Sequence, residues 1–194
     1  SDLIHYIWKE QPFENLKSLI KIEENIIDTN YNDLENLKQI DKFLISMDFD
    51  VNSISYLFLP QNSNNELILY HQGHGGDFYN GKNTIEYFLK NGYSVLAFSM
   101  PLLGMNNQPL IDTEFGELKL ITHDYFPFIE SQNFSPLKFY FEPITLSLNY
   151  VEENFNFDNF YMVGISGGGW TTTIYSAIDQ RISKSFSIAG SIPI

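Results

Sequence analysis

The sequence predicts an α/β fold in which a mostly parallel sheet carries helices on both faces and antiparallel strands at its N-terminal edge. After residue 66, short and almost continuously apolar segments alternate with amphipathic ones, which is the pattern of parallel strands covered on both faces. Between Gln39 and Pro60 polar and apolar residues alternate, as in an antiparallel pair with one buried face. A glycine-rich turn also leads directly from an apolar segment into a helical pattern near residue 166.

The elements are expected in a simple order along the chain. Residues 1–40 are polar with apolar side chains at helical spacing, which predicts a helical N-terminal extension. Those apolar residues are Phe13, Leu16, Leu19 and Ile20. Residues 41–194 then form a single α/β domain that begins with the two antiparallel strands. Its parallel strands are predicted at 67–70, 93–98, 160–163 and 185–189, its helices at 84–91, 137–155 and 167–178, and an irregular segment at 101–135.

Composition restricts the classes of function. The chain has 194 residues, with 11 Lys and Arg against 24 Asp and Glu, so its formal net charge is −13. Such a charge repels phosphate backbones and anionic lipid headgroups, so we expect neither nucleic acid nor a membrane as a partner. The absence of cysteine excludes thiolate catalysis and cysteine-ligated metal sites. No apolar run reaches the roughly 18 residues that a membrane-spanning helix requires.

The segment Gly164-Ile165-Ser166-Gly167-Gly168 fits the pattern G-x-S-x-G between a predicted strand and a predicted helix. A chain that reverses at once from strand to helix holds the turn residue in a strained conformation at the carboxyl end of the sheet. The helix also offers free N–H groups to a developing oxyanion, with that of Gly167 first. Ser166 is therefore the predicted nucleophile. The alternative is an anion-binding turn, although neither G-x-x-x-x-G-K-[ST] nor G-x-G-x-x-G is present.

A second glycine-rich loop, His71-Gln72-Gly73-His74-Gly75-Gly76-Asp77, follows the first predicted parallel strand. A loop at this position supplies the second backbone N–H of an oxyanion hole. The alternatives are an ordinary strand-to-helix turn and a metal site built from His71, His74 and Asp77. The metal interpretation lacks a third well-placed ligand, so we expect neither a metal nor an organic cofactor.

In this order, the two motifs resemble those of the α/β-hydrolase superfamily. The segment Gly73-His74-Gly75-Gly76 is similar to the H-G-x-G-G loop of its dienelactone hydrolase and acetyl xylan esterase-like branches. The resemblance implies a serine hydrolase of small-molecule esters whose oxyanion is held by the N–H groups of Gly167 and His74. Because Gln72 stands where that family has its histidine, Gly75 is the alternative second donor. An amide or thioester hydrolase and a non-catalytic binding module of the same fold are the other readings.

The resemblance also implies a triad acid and a histidine after Ser166. No histidine follows it, and the single acid, Asp179, lies at the end of the next predicted helix. We therefore expect residues 41–194 to be a partial, C-terminally truncated α/β-hydrolase domain with an exposed apolar sheet edge. The full-length protein would be the enzyme, and this chain alone would be nearly inactive. A replacement base within the chain would be His123, beside Asp124, although such a pair in a loop is more often surface chemistry.

Overall fold

The structure is a computed structural model that describes residues 2–9 and 19–190. These residues form four α-helices, three short 3₁₀ helices and nine strands. The helices are α1 (Asp2–Trp8), α2 (Lys82–Lys90), α3 (Lys138–Asn154) and α4 (Gly167–Ile178). The strands are β1 (Leu19–Glu23), β2 (Leu37–Ser46), β3 (Asn52–Pro60), β4 (Glu66–His71), β5 (Ser94–Phe98), β6 (Leu110–Thr113), β7 (Gly116–Lys119), β8 (Asn159–Ile165) and β9 (Ile182–Ile188).

Seven of these strands form one mixed sheet in the order β1-β2-β3-β5-β4-β8-β9. Strands β1, β2, β3 and β5 pair antiparallel in that order. Strands β5, β4, β8 and β9 pair parallel. The predicted combination of a parallel sheet with antiparallel strands at the N-terminal edge is confirmed.

Hydrophobic side chains fill both faces of this sheet. Because successive strand residues point to opposite faces, Leu57 packs in one buried cluster and its neighbour Phe58 in the other. Helix α2 covers the Phe58 face with Ile85 and Leu89. Helices α3 and α4 contribute buried side chains to the other face. The prediction of helices on both faces is therefore confirmed.

The prediction of a helical N-terminal extension is wrong for Leu19–Glu23, which is strand β1. This strand pairs with β2, and Ile20 lies opposite the buried Ile45. A β-branched residue in such a pair gains cross-strand packing, which outweighs the local helical spacing. Helix α1 is described, whereas Phe13 and Leu16 lie outside the described residues.

The segment 101–135 is more regular than expected. It contains the hairpin of β6 and β7, in which β7 begins at Gly116 with φ 113°, and a 3₁₀ helix at His123–Phe128. Both strands are four residues long and largely polar, so their alternation is too short to identify from sequence. Leu102 and Phe126 are buried in the core below this segment.

Strand β9 lies at the edge of the sheet. Phe186 and Ile188 are 56% and 51% exposed there, in agreement with the expected apolar sheet edge. With Tyr161, Val163 and residues of α2 they line a groove on the α2 side. Within the described part of the chain, no helix has the length and apolar character needed to cross a membrane.

Candidate active site at the β8–α4 turn

Ser166 occupies the single-residue turn between β8 and α4. Its backbone has φ 55° and ψ −122°, a strained conformation that non-glycine residues rarely adopt. Its N–H donates to the Ile188 carbonyl at 2.8 Å, and its carbonyl accepts from the Trp170 N–H at 3.1 Å. The turn is thus fixed between the edge strand and the first turn of the helix, and Ser166 is exposed.

Two glycines of the motif allow β8, α4 and β4 to approach closely. A Cβ on Gly164 would overlap the Gly168 carbonyl and the Thr172 hydroxyl, and a Cβ on Gly168 would overlap the His71 carbonyl. Any side chain at these positions would therefore force the elements apart. The glycine pattern around Ser166 follows from this backbone packing.

The second glycine-rich loop packs directly on the Ser166 turn. Strands β4 and β8 are parallel neighbours, with His71 in register with Gly164, so the segments after them emerge side by side. A Cβ on Gly73 would lie 2.8 Å from Ser166 Cβ and 3.3 Å from the Gly167 nitrogen. The structure therefore brings together the two motifs that the sequence separates.

Backbone N–H groups at this contact are unpaired. Across residues 2–9 and 19–190, no protein acceptor takes a hydrogen bond from the N–H of His74, Gly75 or Gly167. Gly167 is the first residue of α4, where N–H groups have no partner within the helix. The loop itself is held by Asn80, whose side-chain amide donates to the Gly75 carbonyl at 2.6 Å. An anionic oxygen placed here would meet donors and the positive end of the α4 dipole.

The three residues of the metal interpretation are directed to different partners. His71 is 2% exposed, stacks on Phe98, and its Nδ1 donates to the Gln72 carbonyl at 2.9 Å. Burial lowers the pKa of His71 to about 4, so this imidazole is neutral near pH 7. The Asp77 carboxylate accepts from the backbone N–H of Tyr79 at 2.7 Å and of Met105 at 3.1 Å. Among the described residues, no group of three metal-ligating side chains comes together.

His123 reaches the site from the 101–135 segment. Its Nδ1 lies 3.2 Å from Nε2 of His74, and its Nε2 lies 2.7 Å from the Pro101 carbonyl. Its ring packs on Phe126 and Tyr140, with centroids at 5.2 and 5.3 Å. Burial lowers the pKa of His123. The sequence contains no signal for this pair, because the two histidines are 49 positions apart and belong to unrelated motifs.

Asp179 has a different environment from that of a residue orienting a catalytic histidine. It is 4% exposed at the end of α4, and its carboxylate accepts from Arg181 Nη2 and Tyr175 Oη, each at 2.7 Å. Burial opposes its charge, but the hydrogen bonds from Arg181 and Tyr175 outweigh burial and lower the pKa of Asp179. Asp179 therefore belongs to a structural ion pair with Arg181 at the C-terminal end of α4.

Comparison with solved structures identifies the fold. Acetyl xylan esterase 1 from Thermoanaerobacterium sp. superposes with a TM-score of 0.64 at 15% identity, over 89% of this chain and 52% of that protein. An acetyl xylan esterase from Paenibacillus sp. R4 gives 0.61 at 15% identity, over 87% and 53%. An esterase from Pyrococcus furiosus gives 0.57 at 14% identity, over 85% and 55%.

These similarities define a class of fold. The chain has an α/β-hydrolase-type fold, and it spans about half the length of the esterases that it matches. At this level of identity the resemblance concerns the fold alone. No protein-family model matches the sequence, and no curated protein matches it.

Proposed function

We propose that this chain carries the nucleophile and the oxyanion site of a serine hydrolase that cleaves carboxylic esters. The observation that carries the proposal is the contact between Ser166, at its positive-φ turn, and a glycine loop with unpaired N–H groups. Strained backbone and converging donors at the carboxyl end of a parallel sheet are typical of catalytic sites.

In the proposed reaction, Ser166 Oγ attacks the ester carbonyl carbon and loses its proton to a histidine base. The carbonyl oxygen becomes an oxyanion, which accepts hydrogen bonds from the N–H of Gly167 and from that of His74, with Gly75 as the alternative. One such donor is worth about 10²–10³-fold in rate. The histidine then protonates the leaving alkoxide, and water releases the acyl group from Ser166 by the same steps in reverse order.

The base and the acid are proposed to lie in a continuation of the chain. No histidine follows Ser166 in these 194 residues, and Asp179 is paired with Arg181. The structural neighbours are about twice as long as the part that the chain matches. The strand order also leaves β9 at an open edge beside Ser166, where further strands of a parallel sheet can pair.

Short acyl esters are the first substrates to test, because two of the structural neighbours are named acetyl xylan esterases. The complete protein should hydrolyse p-nitrophenyl acetate, and Ser166→Ala should abolish that hydrolysis. Ser131→Ala, which alters an exposed serine of the 101–135 segment, should leave the rate unchanged, and so should a chelator. Hydrolysis that survives Ser166→Ala would refute the proposal. If a chelator abolishes hydrolysis and Ser166→Ala does not, a metal-assisted reaction is favoured. If the untreated wild type does not hydrolyse the ester, a binding module is favoured.

A further inference from the structure

The hydrogen bond between His74 and His123 fixes where the protons of both rings lie. A carbonyl oxygen only accepts hydrogen bonds, so His123 Nε2, at 2.7 Å from the Pro101 carbonyl, carries a proton. Burial against Phe126 and Tyr140 keeps this ring neutral, so its Nδ1 is an acceptor. His74 Nε2, at 3.2 Å, therefore donates. In its neutral form, His74 then has an unprotonated Nδ1.

The edge of the His74 ring that carries the unprotonated Nδ1 packs against Gly167, the residue that follows Ser166. A Cβ on Gly167 would be 2.5 Å from His74 Nδ1 and 2.6 Å from Cε1. The imidazole thus occupies the space that a side chain at Gly167 would take. The ring therefore rests against the side-chain face of Gly167, and the backbone of His74 supplies the second N–H of the proposed oxyanion site.

His74 lies between two other fixed points of its loop. On one side the Gln72 N–H donates to the Phe98 carbonyl at 2.9 Å, and on the other Asn80 holds the Gly75 carbonyl at 2.6 Å. The intervening His74 N–H makes no hydrogen bond within the described chain. The side chain of His74 is exposed, and His123 is its hydrogen-bonding partner.

We propose that His123 is a positioning residue of the hydrolytic site, which holds the His74 ring against Gly167 in the Nε2–H tautomer and thereby orients the His74 N–H toward the oxyanion. The proposal rests on the proposed function for its kinetic consequence. Its geometric content, the tautomer and the ring position, does not depend on catalysis.

Two conservative substitutions separate the two hydrogen bonds of His123. In His123→Asn, the amide oxygen takes the place of Nδ1 and still accepts from His74. In His123→Gln, the amide nitrogen takes the place of Nε2 and still donates to Pro101, but the acceptor for His74 is lost. If His123 only anchors the 101–135 segment through Pro101, Gln should be the better replacement. If His123 positions His74, Asn should be the better replacement.

The tautomer is measured on this chain by long-range ¹H–¹⁵N correlation spectra of the imidazoles. The chain has only four histidines, and His74→Gln assigns the relevant signals. We expect the Nε2–H form for His74 in the wild type and in His123→Asn, and a mixture of tautomers in His123→Gln. A predominant Nδ1–H form of His74 in the wild type would overturn the proposal.

The kinetic consequence is measured on the complete protein with p-nitrophenyl acetate. Loss of one hydrogen bond that orients a donor should lower kcat by about three- to tenfold in His123→Gln, with little change in KM. His123→Asn should remain close to the wild type. The proposal would be overturned if kcat fell equally in both variants, or if it did not fall in His123→Gln. In either case Ser166 must still be labelled, which shows that the nucleophile itself is intact. If Ser166 is not the nucleophile, Ser166→Ala keeps the wild-type activity or lacks the same activity as an inactive wild type, whereas the tautomer result is unaffected.

Discussion

Gly73→Ala tests the contact on which the site depends, because Gly73 is where the glycine loop meets the Ser166 turn. The added Cβ would overlap the Ile165 carbonyl and lie 2.8 Å from Ser166 Cβ. The optimal separation of non-bonded carbon atoms is about 3.5–4.0 Å, so the loop must move away from the Ser166 turn by roughly 1 Å. Such overpacking typically costs about 1–3 kcal/mol of stability. For a chain of this size a cost of about 2 kcal/mol lowers Tm by about 4–8 °C.

The same displacement should reduce the reactivity of Ser166. The loop carries the proposed His74 donor, and a misplacement of about 1 Å in a catalytic geometry can cost about 100-fold in rate. We therefore expect the rate of covalent modification of Ser166 by a fluorophosphonate to fall by about two orders of magnitude. The assays are thermal unfolding followed by circular dichroism and labelling followed by intact mass, the latter on the complete protein.

Gly75→Ala is the matched control in the same loop. Its Cβ would have Gln72 Nε2 at 3.6 Å as its nearest neighbour, which is an ordinary contact, and alanine keeps the backbone N–H. The stability of Gly75→Ala should therefore stay close to that of the wild type, with a change within about 0.5 kcal/mol. If Gly73→Ala behaves like Gly75→Ala, the loop does not pack on the Ser166 turn as described.

Three further predictions concern the rest of the domain. Arg181→Met leaves the buried Asp179 without its guanidinium partner and should lower stability by about 3 kcal/mol in chemical denaturation, whereas Lys21→Met, at an exposed ion pair, should have no measurable effect. Between pH 6.5 and about 4 the unfolded chain binds a proton at His71 that the folded chain does not. Acidification should therefore lower stability by up to about 1.4 kcal/mol per pH unit, and a urea titration of His71→Leu should show a shallower loss. Phe186→Lys on the open edge should reduce concentration-dependent light scattering, and an unchanged scattering profile would argue against self-association there.

Local patterns predict the elements around Ser166 because the signals are contiguous in sequence. An apolar strand, a glycine-flanked serine and a helix pattern occupy consecutive residues, and the structure has β8, the turn and α4 at those positions. The glycine loop was predictable for the same reason, since it directly follows the apolar β4. Their contact follows from topology, because parallel neighbours bring the segments after both strands to one edge of the sheet.

Long-range pairings were not predictable in this way. Strand β1 is short and belongs to a segment with apolar residues at helical spacing. It is a strand because it pairs antiparallel with β2, a partner that its local sequence does not reveal. The contact between His74 and His123 depends on how the 101–135 segment folds over the loop. A lone His-Asp sequence in a long segment carries no information about which surface it meets. The strand, turn and helix around Ser166 were therefore predictable from the sequence, whereas the partner of His74 required the tertiary structure.

The most direct test of the central claim is to map the covalent adduct formed by a fluorophosphonate on the complete protein. Peptide mass spectrometry should find one adduct, on the peptide that contains Ser166, and Ser166→Ala should remove it without unfolding the protein. Ser187, which lies nearby but donates to the Gly169 carbonyl, should remain unmodified. A folded protein that forms no adduct, or forms it on another residue, would contradict the assignment of Ser166 as a hydrolytic nucleophile.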